Sequence, residues 1–365
     1  MPPKEVKQEI RIALFGPSAS GKTTLLASYY GNQQANSFEE EHGYRLAAED
    51  TSDGNSLLAH YYRMENGQFP LGTSEFHEYK FGVKVHGMHE EGLRVVWYDY
   101  PGGWWENTPK DESEKEMRRA AFRKLITSHV GILLVDGSRY QTDGIKYVKH
   151  LFSMFRNEIR RISDEYAQNG SPVAEGFPNQ WIIAISKADV LSSEHTIQNI
   201  CKQIVMQAED EMKGVAKTMG SNSFGSQYLL LSSVRGEGVN VTDAHVYVGL
   251  QLIAPVALCS VLYELAHKAK RDNGGAGFFH AILVRLAGLA DLIDKLDDFL
   301  PPKFQVLTKI LQALEIKDGL DKGAVHYREK MNAAAKKGKA VEAVANAMKS
   351  ELSAPAAEKA YYKNQ

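Results

Sequence analysis

The run Gly16-Pro17-Ser18-Ala19-Ser20-Gly21-Lys22-Thr23 fits the spacing G-x-x-x-x-G-K-[ST]. Those residue types suit one task, the cradling of phosphates. Gly16 permits the turn, and Gly21 lets the backbone approach an anion. The N–H groups from Ala19 to Thr24 open a helix N-terminus, where the helix dipole favours negative charge. Lys22 is placed to reach terminal phosphates, and the Thr23 hydroxyl offers magnesium a hard oxygen. Alone, this loop predicts a phosphate holder for any nucleotide.

Three further groups narrow the reading. In "LRVVWYDYPGGWW" a carboxylate, Asp99, closes an apolar run, where the shell of a magnesium ion needs one. Asp99-Tyr100-Pro101-Gly102 fits D-x-x-G, with the Gly102 N–H facing the terminal phosphate. In "WIIAISKADVL", Ser186-Lys187-Ala188-Asp189 is close to [NT]-K-x-D, with Ser in place of Asn or Thr. An Asp there accepts both hydrogens that guanine offers at N1 and N2, a pair adenine lacks. The Lys187 stem would lie across the purine. In "LLLSSVRGEGVN" an apolar run ends at Ser232-Ser233, and the Ser233 N–H is the candidate donor to the guanine carbonyl. Each group has a plainer reading: a strand-ending Asp before a Pro-Gly turn, a solvated charged turn, a glycine turn. Their order behind a phosphate loop argues against all three together.

The elements that must position these residues are legible in outline. Ile10–Phe15 reads as a strand and Lys22–Tyr30 as a helix, the context a phosphate loop requires. The stretch from Asn32 to Thr73 is polar, with one helix at Asn55–Met64. Tyr79–Val85 alternates as a half-buried strand, with Leu93–Tyr98 as its antiparallel neighbour. Asp111–Ser128, Gly144–Glu165 and His195–Lys217 read as helices; Val130–Val135, Trp181–Ser186 and Tyr228–Ser232 read as buried strands. Alternating helices and uninterrupted apolar strands predict an α/β three-layer sandwich with a mainly parallel sheet and one antiparallel edge strand.

Beyond about Thr242 the pattern is helical. Val246–Lys270 carries Pro255 as an expected kink, and Phe278–Leu300 and Phe304–Ile316 follow. The expected division is a tail at 1–10, a nucleotide domain at 11–247 with a polar insertion at 31–72, and an all-α extension at 248–365. The apolar helix at 278–300 has an acidic polar face, which favours packing in a bundle over lying in a membrane interface.

Composition sets bounds. The chain has 365 residues and a formal net charge of −2, so no basic field draws it to nucleic acid. Its two cysteines, Cys201 and Cys259, form no metal-binding spacing and no disulfide framework. With no signal-peptide pattern at the start, a cytoplasmic protein is expected. No G-x-S-x-G or H-E-x-x-H pattern points to acyl transfer or zinc hydrolysis.

Phosphate loop, D-Y-P-G, S-K-A-D and S-S-V-R-G-E-G, in that order and each at a strand end, resemble the Ras-like, translation-factor-related GTPases over roughly Arg11 to Val248. A looser similarity runs to bacterial operon-associated GTPases. The resemblance implies a P-loop NTPase fold, GTP or GDP as the bound nucleotide, Mg2+ as cofactor, and a switch that serves an effector or activating protein. It implies Thr23, Asp99 and a loop Thr as metal ligands. Thr73, just before the edge strand, is the expected loop Thr, with Thr51 as the alternative. Lys22, Thr73 and Gly102 are then the catalytic set. Gly16, Ser18, Ala19, Ser20, Gly21, Lys22, Thr23, Thr24, Ser186, Lys187, Asp189, Ser232 and Ser233 bind the nucleotide.

One departure stands out. Where the family often has a water-positioning Gln after D-x-x-G, this chain has Gly103, followed by Trp104 and Trp105. Hydrolysis is therefore expected to be slow unless a partner, or a residue of the insertion such as His77 or Arg63, completes the site. The tryptophans either face a partner or pack beneath the loop. A nucleotide-dependent scaffold with negligible hydrolysis, and a membrane-associated GTPase using its C-terminal helices, are the alternative readings.

Overall fold

The computed structural model describes residues 9–85, 91–105, 107–168, 178, 180–221, 223–245, 248–258, 344 and 346–364. The main elements run β1 (Glu9–Phe15), α1 (Lys22–Asn32), α2 (Asn36–His42), β2 (Tyr44–Ala48), α3 (Thr51–Glu65), β3 (His77–Val85) and β4 (Glu91–Asp99). There follow α4 (Glu112–Ile126), β5 (Val130–Asp136), α5 (Gly137–Asp143), α6 (Ile145–Gln168), β6 (Gln180–Ser186), α7 (Ile197–Gln207), α8 (Glu209–Met219) and β7 (Gln227–Leu230). A small hairpin, β8 (Arg235–Glu237) and β9 (Asn240–Asp243), comes next, and the C-terminal part ends in α9 (Pro355–Ala360) and β10 (Tyr361–Lys363).

The main sheet has the order β10-β7-β6-β5-β1-β4-β3-β2. Its centre is parallel: β1 pairs with β4 and β5, β5 with β6, and β6 with β7. The central strands are apolar throughout because both of their faces are covered. Ile12, Leu14, Ile132, Leu134, Ile182 and Ala184 join one core with α1, α3 and the C-terminal elements. Ala13, Phe15, Leu133, Val135, Ile183 and Ile185 join the other with α4, α6, α7 and α8. This is the expected three-layer α/β arrangement.

Several details differ from the sequence reading. The antiparallel edge holds two strands, since β3 pairs with β4 and β2 pairs in turn with β3. The insertion supplies this extra strand, together with α2. The strand is only five residues long, and Tyr44 and Leu46 are its fully buried positions, so it carries little periodicity. The single helix expected at 195–217 is two, broken at Ala208.

The C-terminal part is not wholly helical either. Tyr361–Lys363 adds an antiparallel strand to β7 at the opposite edge of the sheet. Nor does the core stop at residue 247. Leu250, Leu252, Ile253, Val344, Met348 and Leu352 share the core of α1 and β1. Pro255 lies in the first turn of a helix at 253–258 rather than at a kink, where its missing N–H has no intrahelical partner to lose. The expected helices at 278–300 and 304–316 and the residue Cys259 lie outside the described residues. Among the described residues no helix is long and apolar enough to cross a membrane.

Candidate nucleotide site

The C-terminal ends of the parallel strands converge on one cavity of about 640 Å³. β1 delivers the glycine loop. Gly21 takes a left-handed φ of 93° as N-cap of α1, and Ala19 takes φ 60°. Among the described residues the only other non-glycine at positive φ is Lys187, at 53°. Such backbone costs an L-residue about 1–2 kcal/mol. Both positions lie on the wall of the same cavity, as strain held at a working site does.

Lys22 is buried. Its ammonium donates to the carbonyls of Gly16 at 2.7 Å and Pro17 at 3.1 Å, and sits 5.2 Å from the Tyr100 ring centroid. The side chain thus arches over its own loop. Gly16 itself does not line the cavity. A Cβ there would come within 2.6 Å of the Ser20 Oγ, so its role is to leave room for the loop.

Opposite Lys22, three separate segments bring oxygens together. The Thr23 hydroxyl starts α1, Asp99 ends β4, and Thr73 closes the insertion. Thr73 Oγ1 lies 2.5 Å from Thr23 Oγ1 and donates to Asp99 Oδ2 at 2.7 Å; Thr23 Oγ1 lies 3.0 Å from the same carboxylate oxygen. Asp99 Oδ1 accepts from the Tyr100 N–H at 3.0 Å, which fixes the carboxylate. Asp99 is fully buried and lies behind the wall that Thr23 and Thr73 form. Thr51 is exposed at the start of α3 and takes no part. A hydroxyl pair around one buried carboxylate is a hard-oxygen set, which suits Mg2+ better than a transition metal.

Gly102 follows. A Cβ on it would fall 2.6 Å from Ser18 Cα and 2.7 Å from Ser18 N, so the two loops touch backbone to backbone. Only glycine permits that approach. The residues after it are held down. Trp104 is 7% exposed, and Trp105 stacks on Phe155 with centroids 5.2 Å apart. The tryptophans pack beneath the loop. From α4, the buried Arg118 guanidinium donates to the carbonyls of Trp104 at 3.2 Å and Asn107 at 2.6 Å, and pairs with Glu114 at 2.9 Å. Gly103 lines the cavity, whereas His77 and Arg63 do not.

At the other end, β6 delivers Ser186. Its hydroxyl reaches the Ser20 carbonyl at 2.9 Å, with the Val135 carbonyl at 3.3 Å. A serine therefore still ties this turn to the phosphate loop. The Lys187 ammonium pairs with Asp136 at 2.6 Å. Burial pushes the Asp136 carboxyl up, but hydrogen bonds from Lys187 and Ser138 outweigh it and hold it below its usual range.

Asp189 accepts from the Ser232 hydroxyl at 2.5 Å. Ser232 is wholly buried and does not line the cavity. Its hydroxyl fixes the Asp189 carboxylate. Ser233 does line the cavity, and its carbonyl accepts from Ser28 of α1 at 2.6 Å. Ser18 to Thr24, Thr73, Gly102, Ser186, Lys187 and Asp189 complete the expected set on the wall.

Sequence reasoning missed Phe69, Pro70, Leu71 and Gly72, and Gly236 and Gly238 of the hairpin, which also line it. The only signals were the turn "QFPLG" and the G-E-G spacing.

A family model described as Double-GTPase 2 matches residues 10–241, more than half of the chain. The chain belongs to the Double-GTPase 2 family. It is a P-loop protein of GTPase type, and the matched region spans the glycine loop, Asp99, Asp189 and the hairpin as far as Val241. No curated protein matches the chain. Among solved structures, one match is the crystal structure of translation elongation factor SelB from Methanococcus maripaludis in complex with the GTP analogue GppNHp. It is 14% identical with a TM-score of 0.24, and covers 62% of this chain and 30% of that one. This Double-GTPase 2 chain thus spans less than a third of that structure's length, and its topology rests on the strand pairings above.

Proposed function

We propose that this cavity binds GTP with Mg2+ and that the protein hydrolyses it to GDP and phosphate, acting as a switch for a partner protein. The observation that carries the reading is the meeting of Thr23, Thr73 and Asp99 from three segments distant in sequence. Thr23, Thr73 and Asp99 would hold the ion, which when bound neutralises charge on the phosphate oxygens. Lys22 and the N–H groups of residues 19–24 take the phosphates, and Gly102 presents its N–H to the terminal one. Asp189, held by Ser232, reads guanine. Thr73 lies at the end of a segment with exposed Leu71 and Gly72, the kind of loop that a terminal phosphate orders and hydrolysis releases.

Three proteins test the metal set: wild type, Thr73→Ala and Thr51→Ala. Dissociation of a fluorescent GTP analogue is followed with Mg2+ and with EDTA. Thr73→Ala is expected to lose the slowing that Mg2+ produces, and Thr51→Ala to keep it. Equal behaviour of the two variants contradicts the assignment.

A second reading, a nucleotide-dependent scaffold, is favoured by Gly103. The residue at that cavity position has no side chain with which to orient water. An arginine supplied in trans accelerates such chemistry by about 10³–10⁵, so the switch reading expects an activating partner. Phosphate release that stays at the uncatalysed level even with cell extract added favours the scaffold.

A further inference from the structure

The hairpin β8–β9, whose first strand carries the R-G-E of the fourth motif, joins the two ends of the cavity. It leaves the guanine-end loop directly after Ser233 and Val234, and turns through Gly238 (φ 61°) and Val239. Its second strand then bonds to the insertion. The Val241 N–H donates to the Gly67 carbonyl at 2.9 Å, and Asn240 forms an antiparallel bridge with Gln68. Its first strand receives Phe69. A Cβ on Gly236 would lie 2.7 Å from Phe69 Cζ, so the ring edge occupies the space a side chain would take. Beneath, Val234, Val241 and Ala244 pack with Tyr61 and Met64 of α3 and Ala27 of α1.

Residues 67–69 are therefore fixed against the hairpin, and Thr73 is fixed against Thr23 and Asp99. Only Pro70, Leu71 and Gly72 stand between, all three on the cavity wall. We infer that the hairpin seats the Thr73 segment through the contact of Phe69 with Gly236, so that the base end of the cavity positions the metal end. Phe69 and Gly236 are positioning residues that act through Thr73. This rests on the reading of Thr73 as a magnesium ligand.

The test uses Gly236→Ala, Phe69→Ala, the double variant, and Thr73→Ala as reference, all in the full chain. The readout is the Mg2+ concentration that half-maximally slows dissociation of a fluorescent GTP analogue, beside the dissociation rate of the GDP analogue. Gly236→Ala pushes its methyl against the tip of the partly exposed Phe69 ring, which must swing aside, and is expected to raise that midpoint by about threefold. Both residues also line the cavity, so the rate of GDP dissociation at saturating Mg2+ is read beside the midpoint, and the midpoint is expected to move further than that rate does. Phe69→Ala, which removes the obstruction and the anchor together, is expected to raise the midpoint by about threefold, and the double variant to match it.

A midpoint unchanged in Gly236→Ala, or strictly additive effects in the double variant, overturns the inference. Should Gly236→Ala fail to fold, Phe69→Ala decides alone, and an unshifted midpoint overturns it. If Thr73→Ala itself leaves the midpoint unmoved, it is the metal assignment that fails, which is a different result.

Discussion

Replacing Asp189 by Asn probes base recognition with the exchange of one heavy atom, a carboxylate oxygen for an amide nitrogen. In the proposed site both carboxylate oxygens accept from guanine, one from N1–H and one from the exocyclic N2–H. The structure fixes this carboxylate before any base arrives, because the buried Ser232 hydroxyl holds Oδ1 at 2.5 Å. The turn itself is anchored by the Ala188 N–H on the Leu231 carbonyl at 3.0 Å. Asn keeps one acceptor and turns the other into a donor that faces the N2 hydrogens. Hydrogen bonds to a charged group contribute about 1.5–3 kcal/mol each. Losing the charge on both and repelling one weakens GTP by about 3–6 kcal/mol, or roughly 10²–10⁴-fold. Xanthine carries N1–H beside a carbonyl, which matches the Asn amide, so xanthosine triphosphate is expected to gain where GTP loses. Competition by GTP, XTP and ATP against a fluorescent guanine nucleotide measures this in wild type and variant. Asp189→Asn with GTP affinity within threefold of wild type, and no gain for XTP, would refute the reasoning.

Gly102→Ala is expected to lower GTP hydrolysis by about 10²-fold or more, the scale for a misplaced transition-state donor, because its methyl meets the Ser18 backbone at 2.6 Å; single-turnover kinetics check it. The C-terminal part should dock in a pH-dependent way. His42 of α2 bonds Glu351, whose side chain is 8% exposed, and that bond raises the His42 pKa against the opposing effect of burial, with Glu41 adding to the rise. A raised folded pKa means that the stabilisation is complete below the unfolded value of about 6.5 and is lost as pH rises through the folded value. The unfolding free energy of wild type, from denaturant titration, should exceed that of His42→Asn by an increment that shrinks over that window, from about 1–2 kcal/mol at its acid end. A pH-independent difference counts against the pair.

Much of the site was legible because its chemistry is local. Glycine loop, D-x-x-G and S-K-x-D each lie within a few residues at the end of an apolar strand, and the strands are apolar because both faces are buried. Thr73 was legible from order alone, as the last Thr before β3. The hairpin was not, since Gly236 carries meaning only through Phe69, 167 positions before it in the sequence. β2 and β10 escaped for a similar reason. Five and three residues hold no period, and their pairing is fixed by β3 and β7 rather than by their own pattern. The tryptophan pair stayed open in the sequence because burial of Trp104 depends on α4 and its Arg118. Ser186 departs from the expected Asn or Thr, yet its hydroxyl spans to the Ser20 carbonyl.

The central claim is a guanine-specific, magnesium-dependent hydrolase. Single-turnover release of phosphate from GTP and from ATP, by the full chain with Mg2+ and with EDTA, tests it most directly. Slow release from GTP with Mg2+ only is expected, of the order of 10⁻⁴–10⁻² s⁻¹ for an unassisted site of this class, and none above background from ATP. Equal release from ATP, or release from GTP that persists in EDTA, would contradict it.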